Sequence, residues 1–315
     1  MVKILCIAGA GRSGSTIVQN VLGQIDGFTA VGEIRYIWGR AALENQSCGC
    51  GARFRECPFW TSVLDDAFGG ISEQRARALL ELTESFRVHK LPLTWIPAAR
   101  RRELQRLEDY RSTLGLLYAA VQRVSGCRVV IDSSKNPAYA YLLAHTPGLD
   151  VYYLHFVRDS PGVAHSWGKH KDFEPGVPMA RKSPAASGLQ WLARNAAAEC
   201  FLPMGRTRRW RYEDFMAAPR DHVASIVRWL DEPNAPLLFL SQHEAELTRR
   251  SHSVFGNSIR FATGTAMLQL DQRWRGEMAA ADRRMVEVIT APLRWRYGYL
   301  GPRARSGRPR RELPA

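Results

Sequence analysis

No long hydrophobic run occurs in these 315 residues. None approaches the about 20 apolar positions that a membrane helix needs, so no membrane span is expected. The first apolar run, Lys3-Ile-Leu-Cys-Ile-Ala8, is too short for the h-region of a secretory signal. A cytoplasmic protein is the expectation, with cysteines kept mostly as thiols. No internal repeat is visible, and no Asn-Gly dipeptide marks a tight hairpin. Acidic charge is also short: 30 Asp and Glu stand against 44 Lys and Arg, a formal charge of +14. Such an excess fits a nucleic-acid-binding protein or a basic enzyme that takes polyanionic ligands. The second reading is preferred, with no specific nucleic-acid partner, because the charge is spread along the chain. The exception is the end, where arginines mix with Gly, Pro and Ser; residues 303–315 read as a basic disordered tail.

Histidine is missing where cysteine is dense. Cys48-Gly-Cys50 and Cys57-Pro-Phe-Trp60 bring three thiols together with no histidine nearby in sequence. A zinc site normally takes four ligands, so the cluster reads as structural thiols or a disulfide, with no metal. Cys6, Cys127 and Cys200 lie in apolar or helical contexts and are expected to be buried.

What is present is an alternation of strand and helix patterns. Apolar runs at 2–8, 28–31, 128–131, 151–157 and 208–211 read as strands. Helical patterns follow at 14–25, 34–44, 137–145, 161–167, 185–202 and beyond Pro219. Residues 72–124 are helical and charged, broken near Pro92 and Pro97, and read as a helical insertion at about 70–125. Residues 168–184 are polar and rich in Pro and Gly, and read as a mobile loop. The alternation implies an α/β fold with a central parallel sheet of about five strands flanked by helices. Residues 1–302 then form one domain. In such sheets ligands bind beyond the carboxyl ends of the strands. Arg12, Glu33, Lys135, Arg158 and Tyr212 all fall at such ends.

The first strand breaks into Gly9-Ala-Gly-Arg-Ser-Gly-Ser-Thr16. Strand, glycine turn, hydroxyls and helix form a phosphate cradle. The ATPase pattern G-x-x-x-x-G-K-[ST] fits Gly9 and Gly14, but Ser15 stands where the lysine belongs. The cation is Arg12, whose guanidinium can fork onto two oxygens.

Gly11-Arg12-Ser13-Gly14-Ser15-Thr16 resembles the loop of sulfotransferases that use 3′-phosphoadenosine 5′-phosphosulfate (PAPS), in a bacterial branch similar to the tyrosylprotein enzymes. The resemblance implies a three-layer P-loop fold and a loop that grips the 5′-phosphosulfate without a metal. Arg158 at a strand end and Ser166 eight residues on match that family's 3′-phosphate pair. Tyr212-Glu-Asp214 resembles its motif whose tyrosine lies against the adenine. The segment 249–260 resembles one that closes over the 3′-phosphate, with Arg260 the first choice there and Ser253 and Gly256 weaker ones. The cysteine loop also recurs in that branch.

Glu33 stands where many bacterial members carry a glutamate base, with His165 and His170 as rivals. Pairing of Glu33 with Arg35 or Arg12 is the structural alternative. Lys135 can stabilise charge on the bridging and sulfuryl oxygens. The expected reaction is sulfuryl transfer from PAPS to the hydroxyl of a small-molecule acceptor, releasing PAP. Tyr36, Trp38 and Trp167 hint at an aromatic acceptor pocket, and the reading admits a homodimer. The alternatives are a P-loop small-molecule kinase, which would want the missing lysine, and a basic nucleic-acid-binding protein.

Overall fold

The computed structural model describes residues 1–170, 172–174, 177–232 and 236–300. The tail expected at 303–315 lies outside them. Five strands form one all-parallel sheet: β1 (Val2–Ala8), β2 (Phe28–Gly32), β3 (Val129–Lys135), β4 (Leu149–Val157) and a fifth at Thr207–Arg211. Their order is β2-β3-β1-β4-fifth. β1 is buried along nearly its whole length and β3 along all of it, as expected of strands covered on both faces.

Period-two alternation sorts the core into two layers. Ile4, Cys6 and Val130 face one way, against Trp38, Tyr118 and Leu142. Leu5, Ile7, Val129 and Ile131 face the other, against Val18, Val21, Phe215 and Ile226. The α-helices among the described residues are α1 (Ser15–Leu22), α2 (Pro58–Phe68), α3 (Glu73–Ser85), α4 (Pro97–Arg106), α5 (Glu108–Ser125), α6 (Pro137–Ala144), α7 (Ser160–Gly168), α8 (Pro184–Phe201), α9 (Tyr212–Ala217), α10 (Pro219–Trp229), α11 (Trp274–Glu277) and α12 (Ala280–Arg296).

Several expectations change. The helical insertion starts at Pro58, inside the region read as a cysteine loop. Its last helix, α5, is a core element: Tyr110, Leu114, Leu117, Tyr118 and Val121 are buried against the sheet layer. The strand expected at 128–131 runs on through Asp132, Ser133 and Ser134 to Lys135. Its polar groups tolerate burial because each finds a partner. Asp132 accepts from the Ser134 amide (2.6 Å) and from the Tyr118 hydroxyl. Ser133 Oγ donates to Gln19 Oε1, and Ser134 Oγ accepts from the Arg35 amide (3.1 Å).

Two small antiparallel ribbons supplement the sheet. β5 (Asp172–Glu174) pairs with β6 (Val177–Pro178) inside the stretch read as a loop. The fifth sheet strand is thus β7, and β8 (Glu244–Leu247) pairs with β9 (Gly264–Met267). The β8–β9 pair is joined by a 16-residue excursion, so it carries no tight-turn signal to read. Cys200 is exposed, because it sits on the outer face of the last turn of α8. Trp38 belongs wholly to the core and cannot line a pocket.

Candidate active site

The end of β1 sets the geometry. Ala8 pairs with Lys135 of β3 on one side and with His155 of β4 on the other. The loop that follows therefore emerges between two strand ends, at the point where the chain direction around the sheet reverses. The Gly9 amide donates to the Lys135 carbonyl (3.2 Å). Ser13 Oγ donates to the Ala10 carbonyl (2.8 Å), so that hydroxyl shapes the loop. Gly14 takes φ 89°, and a Cβ there would lie 2.7 Å from the Tyr212 ring. α1 then opens at Ser15, with first-turn amides that have no intrahelical acceptor.

Arg12 is half-buried. Its guanidinium lies over the Trp167 ring (4.8 Å to the centroid). Its buried Nε and Nη1 have no partner among the described residues. Burial pushes its pKa down and nearby Glu33 pushes it back up. Lys182 Nζ sits 4.0 Å from the same ring centroid. Its pKa is lowered to about 8, first by burial and then by Arg194 and Arg12. Arg194 is itself depressed by burial, and its Nη1 would be 4.0 Å from a Cβ on Gly11. Three cations thus crowd one loop, and Glu33 is the acidic neighbour of two of them, Arg12 and Arg194. Such crowding is unfavourable until an anion arrives. Lys182 and Arg194 escaped sequence reading: one lies in the patternless stretch 168–184, the other is one arginine among many on a helix.

Glu33 Oε1 accepts from Lys135 Nζ at 2.5 Å, both side chains being about nine-tenths buried. Neither Arg35 nor Arg12 takes the role of ion-pair partner. Four non-glycine residues have positive φ among the described residues: Asn45, Asp231, Arg12 and Lys135. Asn and Asp visit this region routinely; Arg and Lys do so at a cost of about 1–2 kcal/mol. Both strained cations stand on the same crevice. The segment 249–260 closes it from above. The Val254 amide donates to Val31 O (2.9 Å), and a Cβ on Gly256 would lie 3.4 Å from Glu33 Oε1 and 3.9 Å from Thr16 Oγ1. Gln19 Nε2 donates to Ser253 Oγ (2.7 Å), which makes Gln19 a further missed residue. Tyr36, Phe255 and Phe173 form an aromatic wall next to Glu33, with ring centroids 4.9 and 5.3 Å apart.

On the other side of the loop, the Arg158 guanidinium lies 4.5 Å from the Tyr212 ring centroid. Arg158 donates to the Asp271 carbonyl (2.9 Å) and faces its carboxylate (3.4 Å). It does not pair with Asp159, which binds Arg294 instead (2.9 Å). Ser166 is buried on α7. Glu213 accepts from the Asp159 amide (3.0 Å) and the Tyr299 hydroxyl (2.7 Å), a structural task. Asp214 does not cap α9, since the cap position is Arg211.

Arg260 departs from its expected place. Its Nη atoms are directed at the carbonyls of Phe173 (3.0 Å), Gly256 (2.6 Å) and Ser47 (3.4 Å). Those donors clamp irregular backbone. The rival bases also have other partners: His165 faces Glu277 (3.2 Å) and His170 faces Arg181 (2.9 Å).

No family model matches the chain, and no curated protein matches it. Solved structures do. The sulfotransferase domain from the curacin biosynthetic pathway aligns over 92% of this chain and 98% of its own, at 15% identity and a TM-score of 0.51. The sulfotransferase domain of the Synechococcus PCC 7002 olefin synthase aligns over 96% of both chains, at 16% identity and a TM-score of 0.53. At such identities the likeness establishes a shared fold, the three-layer α/β architecture expected from the sequence.

Proposed function

We propose that the protein transfers a sulfuryl group from PAPS to the hydroxyl of a small-molecule acceptor. The observation that carries this reading is the buried Glu33–Lys135 pair beside a phosphate loop that has Ser15 in place of the ATPase lysine. A carboxylate and an ammonium at one strand edge are what hydroxyl attack on an anionic sulfur centre requires. The fold shared with sulfotransferase domains supports it.

In this reading the amides of Gly11, Ser13, Gly14, Ser15 and Thr16, with Arg12, hold the phosphosulfate. Lys182 and Arg194 add charge. Arg158 and Ser166 hold the 3′-phosphate, which competes with Asp271 for the guanidinium, and Tyr212 supports the adenine end. Arg260 acts at one remove, by fixing the closing segment. The donor draws Lys135 off Glu33 towards the bridging oxygen. The acceptor oxygen then attacks sulfur in line, the S–O bond to the phosphate breaks, PAP departs, and the hydroxyl proton passes to Glu33. No metal enters this step. No described helix is long and apolar enough to cross a membrane. The proposed enzyme is one domain over 1–302, cytoplasmic, with the basic tail outside the catalytic unit.

Incubation with labelled PAPS and a fractionated extract of the source should yield a labelled acceptor. Glu33→Gln should bind PAP as the parent does and lose about 10²–10⁴-fold in turnover. Unchanged turnover would remove Glu33 as base and move the role to His165 or His170.

A further inference from the structure

The three-cysteine cluster gains a fourth member in space. His252, from the closing segment, brings its Nδ1 to 3.7 Å from Cys48 Sγ and 3.4 Å from Cys57 Sγ. Cys57 Sγ lies 3.6 Å from both Cys48 Sγ and Cys50 Sγ. All four ligand atoms fall within 4.8 Å of one another. All six cysteines are free, and these sulfur separations are far beyond the ~2.05 Å of a disulfide.

Tetrahedral zinc gives a sharp comparison. With Zn–S of about 2.3 Å and Zn–N of about 2.05 Å, the edges of the tetrahedron are ~3.8 Å for S···S and ~3.6 Å for S···N. The four separations given above match those edges. The widest pair needs to contract by only about 1 Å. We propose that Cys48, Cys50, Cys57 and His252 bind one structural zinc ion.

The surroundings fit a closed site. Cys48 and Cys57 are buried, and the His252 ring stacks on Phe59 (centroids 4.4 Å apart, planes at 17°). Trp60 Nε1 donates to the His252 carbonyl (2.8 Å), which fixes the backbone that carries the imidazole. The Gly49 amide donates to Ser253 O (2.9 Å). A Cβ on Gly49 would collide with Ser251 O at 2.7 Å, so the cysteine turn and the histidine segment pass at a distance only glycine permits. Three thiolates, a neutral imidazole and Zn²⁺ leave a net charge of −1. Arg250, which donates to Cys50 O (3.3 Å), carries the compensating charge. Binding three thiols releases three protons to solvent, with no change of oxidation state. A site with four protein ligands has no open position, so the ion is structural and stands apart from the sulfuryl chemistry. It ties the turn before α2 to the segment that covers Glu33 and Thr16, 195 residues apart in the chain.

The test uses the full chain purified under reducing conditions without chelator. Elemental analysis should find about one zinc per chain. Replacement by Co²⁺ should produce intense thiolate-to-metal bands and visible d–d bands of tetrahedral form. Cys57→Ser and His252→Ala should lose most of the metal, whereas His252→Cys, which keeps four ligands, should retain it. Removal of the ion should lower Tm by roughly 5 °C or more and raise hydrogen exchange across 249–260. A folded chain that purifies metal-free and gives no cobalt spectrum overturns the proposal. So does an intact mass lighter by one disulfide, or metal that survives both Cys57→Ser and His252→Ala. Stoichiometry and spectrum are read without any donor or acceptor, so failure of the sulfuryl-transfer reading leaves this result standing, and the reverse.

Discussion

At the scale of single residues, the crevice is a cation cluster held in an unfavourable state. Lys182 shows it best. Its folded pKa is about 8, against 10.5 for the free side chain, chiefly because of burial. Below pH 8 both folded and unfolded chains carry the proton, and the folded chain bears the full cost of a half-buried ammonium. Between pH 8 and 10.5 the unfolded chain binds more protons, so stability from this group rises with pH. Lys182→Met should therefore raise Tm at pH 7 while weakening PAP binding. In the parent, PAP affinity should fall between pH 7 and 9, and the variant should flatten that profile; calorimetric titration reads both. Arg158 makes a second prediction. Arg158→Ala should weaken 3′,5′-bisphosphate binding by at least tenfold, about 1.4 kcal/mol, and leave 5′-AMP nearly unchanged. Equal losses would sink the 3′-phosphate role. Arg12, Glu33, Lys135 and Arg158 were legible because strand ends are legible. Lys182 and His252 were not, because a lone cation or imidazole in an irregular segment has no spacing to betray it, and Arg194 was not, because it is one arginine among many on a helix.

At the scale of elements, Gly32 and Gly49 let the pieces approach. Gly32 ends β2 with φ 78°, and a Cβ there would lie 2.8 Å from the Ser253 Cα. Gly32→Ala should thus cost about 2 kcal/mol or more, from left-handed strain and a backbone clash. It should lower Tm and also turnover, because the shift is passed to Glu33 next to it; a Tm loss with normal turnover would uncouple the two. The parallel sheet followed from the alternation of patterns, because parallel strands covered on both faces read as unbroken apolar runs; the order of its strands came only from the structure. The two antiparallel ribbons and α12 were invisible. The ribbons are two to four residues long. α12 packs through Thr290, hydrogen-bonded to Ser160 (2.6 Å), and the Arg294–Asp159 ion pair as well as through apolar residues, so its stripe is weak.

At the scale of the whole molecule, the +14 charge is the feature most open to misreading. Many arginines are engaged on the surface in pairs such as Arg75–Asp109 and Arg123–Asp66. Duplex DNA should accordingly bind weakly, without sequence preference, and release by roughly 0.2 M salt. Tight binding that survives that salt, measured by anisotropy, would restore the nucleic-acid reading.

The amino-acid order alone decided the α/β class, the central parallel sheet and the placement of the phosphate loop. Each rests on local periodicity and on residues adjacent in the chain. Tertiary structure decided which charges meet. It chose Lys135 as the partner of Glu33, set Arg260 on backbone carbonyls, gathered Lys182 and Arg194 around Arg12, and brought His252 to three cysteines. The Glu33–Lys135 pair spans 102 residues and the His252–Cys48 contact spans 204. Pairing of β2 with β3 brings Glu33 to Lys135, and the packing of the closing segment brings Arg260 and His252 to their partners.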